Sequence, residues 1–172
     1  MLEEIIKARR SIRKYKPELP SMETIEEILS LSIMGPSYAS SRPVEFVIVT
    51  EKENLKKLAD MEMFGTQYLK DAPMCILVMT NADTVRNWVE ECAIVSSYIG
   101  LCAVDNGLST CWVNVREGET QDGREYQEFF KEEFGVPKDY KVLTIIPIGT
   151  GDERVRRREE IDIKSKIHME KF

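Results

Sequence analysis

The chain has 172 residues, a formal net charge of −6, 42% hydrophobic residues and 31% charged residues. That is enough chain for one compact domain with a real core, and its acidic balance argues against a general nucleic-acid binder. The apolar run Cys92–Val104 falls short of the roughly 20 residues a membrane span needs. The acidic opening Met1-Leu2-Glu3-Glu4 does not resemble a secretory signal, so no membrane partner and a cytoplasmic location are expected.

In chain order, residues 2–14 are predicted to form a helix with Leu2, Ile5, Ile6 and Ile12 toward one side. Pro17 and Pro20 bracket a connection. Ser21 is placed to cap a second helix carrying Ile25, Ile28 and Leu29, which Gly35-Pro36 ends. Val44–Thr50 and Met74–Thr80 are β-branched or apolar runs, hence buried strands, with a helix over 51–62 between them. Residues 83–105 form the longest helical stretch, polar at first and then almost wholly apolar, with Asn106-Gly107 as its stop. Leu108–Val115 is a third strand, 123–134 a helix and Lys141–Gly149 a fourth strand. In the tail, Ile161, Ile163, Ile167 and Met169 alternate with polar residues, which calls for a sheet edge to pair with. Alternation of helices and apolar strands by itself suggests a doubly wound parallel sheet. Neither G-x-G-x-x-G nor a P-loop is present.

The side chains offer little chemistry of their own. His168, the one histidine, lies four residues from the end, a poor place for a catalytic triad. No His/Cys/Asp group has metal-ligand spacing. Cys75, Cys92, Cys102 and Cys111 sit in apolar runs without a C-x-x-C pair, as buried reduced thiols do. This poverty favours a binding protein, or an enzyme whose chemistry resides in a cofactor. Residues 7–16 hold six cations and no acid, and Arg154, Arg156, Arg157 and Arg158 form a second cluster. Each is a solvated face or a seat for a small anion such as phosphate.

Four ordered segments carry a resemblance. They are Arg9-Arg10-Ser11-Ile12-Arg13-Lys14-Tyr15, then Gly35-Pro36-Ser37-Tyr38-Ala39-Ser40-Ser41-Arg42-Pro43-Val44-Glu45-Phe46, then Gly107-Leu108-Ser109-Thr110-Cys111-Trp112-Val113, and last Ile146-Pro147-Ile148-Gly149 before the arginines. In this order the chain resembles the FMN-dependent nitroreductase family over nearly its whole length. The resemblance implies an α+β fold, a mainly antiparallel sheet flanked by helices and closed as an intertwined homodimer. One domain would span 1–172, with residues 161–172 packing on the partner chain.

The same resemblance implies the site. Arg9 and Ser11, with Arg10 beside them, would hold the FMN phosphate and ribityl end, a guanidinium fork suiting phosphate. Arg13 would approach the flavin pyrimidine and stabilise charge on the reduced ring. Pro36, Ser37 and Ser40 would cover the flavin from the partner chain. The backbone at Asn114 and Val115 would lie near flavin N5. Gly149 would allow close passage, and Arg156 would complete the phosphate clamp. NAD(P)H would be the reductant and a small nitroaromatic, quinone or activated alkene the acceptor. A same-fold enzyme with other flavin chemistry, or a flavin-binding regulatory or storage protein, stands as the alternative. Ser37 and Ser40 could instead be turn caps, Trp112 a core residue, and Tyr38 either a lid or an exposed loop residue. The family often has Asn at position 40, Gln at 42 and Trp at 44, where this chain has Ser40, Arg42 and Val44, so substrate preference does not carry over.

Overall fold

The computed structural model describes residues 2–155 and 161–172. Its elements are α1 (Leu2–Ala8), α2 (Met22–Ser32), β1 (Glu45–Val49), α3 (Lys52–Ala59), β2 (Met74–Asn81), α4 (Trp88–Asp105), β3 (Ser109–Thr110), β4 (Val113–Asn114), α5 (Tyr126–Phe134) and β5 (Tyr140–Gly149). Short 3-10 turns lie at Tyr38–Ser40, Gln67–Asp71 and Ile163–Lys166. The strands run in the order β1-β2-β5-β3, with β4 also on β5, and every strand pair is antiparallel.

The β2–β5 ladder is the centre, running from Met74 opposite Ile148 to Asn81 opposite Tyr140. Cys75, Leu77 and Met79 face one way, onto Leu55 and Leu58 of α3 and Phe129 and Phe130 of α5. Met74, Ile76 and Val78 face the other way, onto Ile25 and Ile28 of α2 and Cys92, Val95 and Ile99 of α4. The sheet is therefore covered on both faces, and each buried side chain of this size contributes about 1.5–3 kcal/mol. A bulge in β5 interrupts the ladder, Val78 pairing with Thr144 but Met79 with Val142. The extra residue, Leu143, lets Val142 and Ile145 share a face although they are three apart.

This is the mixed helix and antiparallel-sheet architecture that the resemblance implies. The parallel sheet suggested by alternation does not form. Unbroken apolar strands report that both faces are covered, which is usual for parallel sheets but leaves strand direction open. Capping follows expectation: Ser21 Oγ accepts the Thr24 N–H at 3.1 Å, and Gly107, with φ 71°, ends α4 in the left-handed region that glycine tolerates.

Three expectations need correction. The helix expected over 2–14 stops at Ala8, because the next residues find sheet partners: Ile12 N–H donates to Thr110 O at 3.0 Å and Lys16 N–H to Thr150 O at 2.9 Å. The strand expected over 108–115 is two short pieces, β3 and β4, parted at Cys111-Trp112. The alternating tail forms no strand among the described residues. It holds the Ile163–Lys166 turn, where the Asp162 side chain accepts the Lys164 N–H at 3.0 Å. No helix among the described residues is long and apolar enough to cross a membrane.

Phe130 is fully buried and sits edge-on to Phe129 at 5.5 Å between centroids. Phe130→Ala is expected to lower the unfolding free energy by about 3–5 kcal/mol, read from urea denaturation. A loss below about 1 kcal/mol would contradict this packing.

Candidate functional site

The basic segment 9–16 is an extended strap laid across one end of the sheet. Ser11 bridges Thr110 and Tyr15 bridges Gly151, while Asp152 N–H donates to Lys14 O at 2.8 Å. Ile12 and Tyr15 are buried in the core, and the Tyr15 hydroxyl donates to Ile12 O. Burial, then the neighbouring Cys111 thiol, pushes the Tyr15 pKa upward, so this hydroxyl stays a donor. Two apolar anchors thus hold the strap down, leaving Ser11, Arg13 and Lys14 exposed.

The two adjacent arginines do different things. Arg10 turns back to donate to Lys7 O and, at 2.8 Å, to Arg9 O, closing the end of α1. Arg9 lines a cleft of about 440 Å³ with Ile6, Ser96, Gly100, Thr110 and Trp112. A Cβ on Gly100 would stand 3.6 Å from Arg9 Cδ and 3.5 Å from Thr110 Oγ1, ordinary contact distances that place the arginine stem over this turn of α4. Ser96 Oγ, in the same cleft, is buried with no hydrogen-bond partner among the described residues. Such a buried hydroxyl is costly unless something meets it. Trp112 is 41% exposed and lines this cleft instead of filling the core.

Arg13 donates its backbone N–H to the Glu153 carboxylate. Its guanidinium lies 6.0 Å from the Tyr68 ring centroid. Tyr68 is half-buried, and burial followed by the Cys111 thiol raises its pKa against the opposing pull of Arg13. Sequence reasoning passed over Tyr68. It lies 55 residues from Arg13 in a turn without a motif, and no linear signal joins them.

At β4 the two candidate backbone groups differ. Val115 N–H donates to Leu143 O at 3.0 Å, so the sheet uses it. In an antiparallel pair successive residues alternate between bonding and facing away. Asn114, opposite Thr144, therefore turns its N–H and C=O outward from the edge. Gly149 is buried, and a Cβ there would meet Pro73 Cγ at 2.5 Å and Tyr15 Cδ1 at 3.4 Å. Its small size is thus required by Pro73.

Pro36, Ser37 and Ser40 are not brought to this place. Their loop runs along α4, with Gly35 against Ile94 and Tyr98 and the Tyr38 N–H on Glu91, and ends at Pro43, whose C=O accepts the Thr80 hydroxyl at 2.7 Å at the far end of β2. Met74, at the strap end, is six residues from Thr80, a distance of about 20 Å along a strand. Ser37 Oγ accepts the Arg42 N–H at 2.9 Å, the turn-capping role, and Tyr38 is 74% exposed. Arg156 lies outside the described residues. Ala39, Ser40 and Arg42 hold φ of 50°, 56° and 46°, left-handed values that persist only where surroundings enforce them. One enforcing contact is Glu91, 3% exposed on α4, whose carboxylate accepts the Tyr38 N–H at 2.7 Å.

Glu91→Ala is expected to loosen this loop, raising amide exchange at Tyr38 by about tenfold or more and lowering stability by about 1–3 kcal/mol. Unchanged exchange at Tyr38 would remove Glu91 as the anchor.

Comparison with known proteins places this geometry in context. The model of the Nitroreductase family matches residues 6–68, the stretch holding the strap, the strained loop and Tyr68. A protein of Methanothermobacter thermautotrophicus, provisionally named NADH dehydrogenase/NAD(P)H nitroreductase, is 33% identical, covering 98% of this chain and 86% of its own. The solved FMN-dependent nitroreductase of Clostridium difficile R20291 superimposes with a TM-score of 0.91 at 36% identity, covering 98% of both chains. A solved protein of Parabacteroides distasonis, provisionally named NADH dehydrogenase/NAD(P)H nitroreductase, gives 0.87 at 26% identity, covering 99% of this chain and 98% of its own. With identity above 30% along almost its full length and the same fold, the chain belongs to the nitroreductase family.

Proposed function

We propose that this oxidoreductase uses FMN, held between two copies of the chain, to pass hydride from NAD(P)H to a small acceptor such as a nitroaromatic, a quinone or an activated alkene. The observation that carries the reading is the cationic strap, pinned to the sheet beside an edge whose Asn114 amide points outward. The FMN-dependent protein of Clostridium difficile supports the cofactor, and the names of the relatives support the reductant.

The donor set suits FMN. Arg9 and Ser11 supply a cation and a hydroxyl for phosphate, with Arg10 contributing charge beside them. The unpartnered Ser96 hydroxyl in the Arg9 cleft suits a polyol chain, and the cleft's volume falls within the ~300–1,000 Å³ of ligand pockets. Arg13, backed by Tyr68, puts positive charge where a reduced pyrimidine ring gathers negative charge. Asn114 offers its N–H to the ring edge, while Val115 frames it. Gly149 keeps the strap close. When bound, the flavin supplies the two-electron chemistry, and the chain supplies binding, orientation and charge.

A second copy supplies Pro36, Ser37 and Ser40. In one protomer the loop's end at Pro43 meets β2 at Thr80, about 20 Å along the strand from Met74 at the strap end, and on this reading the loop covers the partner's strap. The apolar groups Ile6, Met34, Tyr98 and Trp112 remain exposed on this chain, as do Ile161, Ile163, Ile167, Met169 and Phe172 in the tail. Apolar surface on this scale marks a partner's place, and residues 161–172 pack on that partner.

The visible spectrum of the purified protein tests the reading directly. A flavin band that bleaches under anaerobic NADPH or NADH is expected. No band after soaking with FMN would overturn it, and a band that neither nucleotide bleaches would favour the regulatory or storage alternative. Arg9→Ala is expected to weaken FMN binding about 10- to 100-fold, from the ~1.5–3 kcal/mol of a charged hydrogen bond. FMN fluorescence titration checks it, and equal affinity would take Arg9 out of the site. Deleting residues 161–172 is expected to raise the dimer dissociation constant, measured by sedimentation at falling concentration. An unchanged constant would show that the tail does not clasp a partner.

A further inference from the structure

The outward edge at Asn114 is held from behind by one side chain on another element. Gln127, on the first turn of α5, donates through Nε2 to Val115 O at 2.9 Å, Val142 O at 3.0 Å and Arg116 O at 3.2 Å. Its Oε1 accepts the Val142 N–H at 2.9 Å. A primary amide has two N–H donors and a carbonyl acceptor, and both kinds are used here on backbone. The side chain acts as an inserted peptide group. It completes the β4–β5 ladder just past the last direct bond, Val115 N–H to Leu143 O.

The need for it arises in the strand itself. The bulge at Leu143 sets β5 off its partner register, and β4 ends after Asn114. Val115 and Val142 are both fully buried, out of reach of water that could satisfy their backbone groups. Without the Gln127 amide, Val142 N–H and C=O and Val115 C=O lose the partners described above. The chain would have to shift to find others, and Asn114 is the residue next to the shift.

We propose that Gln127 is a positioning residue for the flavin: it fixes the Asn114–Val115 backbone so that the Asn114 N–H stands in hydrogen-bonding position at the flavin edge, and thereby raises the flavin's readiness to accept electrons. The proposal rests on the FMN reading above. Gln127 touches neither cofactor nor substrate on this account. It acts through β4, from the side of the strand away from the ligand. Preorganised backbone donors of this kind work because they need no reorganisation when charge develops, and a loosely supported donor loses that advantage.

The test uses FMN-loaded protein and the variant Gln127→Met, which keeps length and bulk but has no amide. The midpoint potential is measured by dye equilibration, with FMN affinity by fluorescence and folding by thermal melting. Gln121→Ala serves as control, since the Gln121 amide side chain donates only to Asp60 O on a separate loop. The expected result is an FMN affinity within about threefold of wild type, because the strap is untouched, and a potential lowered by a tenfold shift in the oxidised/reduced equilibrium, about 30 mV for a two-electron couple. A Gln127→Met potential equal to wild type overturns the proposal.

Should Gln127→Met not fold, wild-type protein decides by hydrogen exchange at Asn114 with and without FMN. Protection of the Asn114 N–H on loading supports the proposal, and exchange unaffected by bound FMN overturns it and takes Asn114 out of the flavin site, while FMN binding itself stands. Wild-type protein that binds no FMN at all overturns both.

Discussion

Strands β2 and β5 are buried on both faces along nearly their whole length, and this constrains everything around them. A slip of one residue between them would swap every inward side chain to the opposite layer. Leu77 would leave the cluster it shares with Phe130, and Ile76 the cluster it shares with Ile99. The ladder is therefore fixed, and with it the ends of the sheet. One end receives the strap, because Thr110 and Thr150 carry carbonyls that Ile12 and Lys16 can reach. The other end receives the strained loop, through Pro43 and Thr80.

This separation shapes the functional reading. The residues that the family resemblance groups together do not meet within one protomer. Arg9, Ser11, Arg13, Asn114 and Gly149 belong to the strap side, Pro36, Ser37 and Ser40 to the other. On the proposed reading a second copy joins them, covering the exposed apolar groups on α1, α4 and the tail. Each half is stiff on its own account. Ile12 and Tyr15 anchor the strap in the core, and Glu91 holds the backbone of Tyr38 in place. Rigid halves lessen the ordering that binding must otherwise accomplish.

Much of this was legible in the chain itself. Four strands, the α4 core helix and the Ser21 cap follow from apolar runs and stop signals, because burial and capping are local to a segment. Strand direction was not legible, since Val, Ile and Leu runs report coverage alone. The end of α1 was hidden for a related reason: Ile12 fits a helical stripe with Leu2 and Ile5, yet in the structure it is an anchor of an extended strap. Only the carbonyls of Thr110 and Thr150, about a hundred residues away and more, decide between the two. The small size expected of Gly149 has a further cause that no motif carries, the ring of Pro73 from a distant segment. Tyr68 and Gln127 were invisible, because neither belongs to a motif and both derive their importance from residues distant in sequence.

The two omissions share a physical cause. A resemblance identifies residues that would touch a ligand, whereas Tyr68 and Gln127 hold two of those residues from behind. Tyr68 gives the Arg13 guanidinium a ring to lie against, and Gln127 meets backbone groups of Val115 and Val142 just past the last β4–β5 bond. Neither effect depends on a particular neighbour in sequence, so either residue could have been supplied from other positions by another chain of the same fold. The groups facing the ligand are held by geometry common to the sheet. The groups behind them are where this chain has solved its own packing, and on the proposed reading it is there that its reactivity departs from that of its relatives.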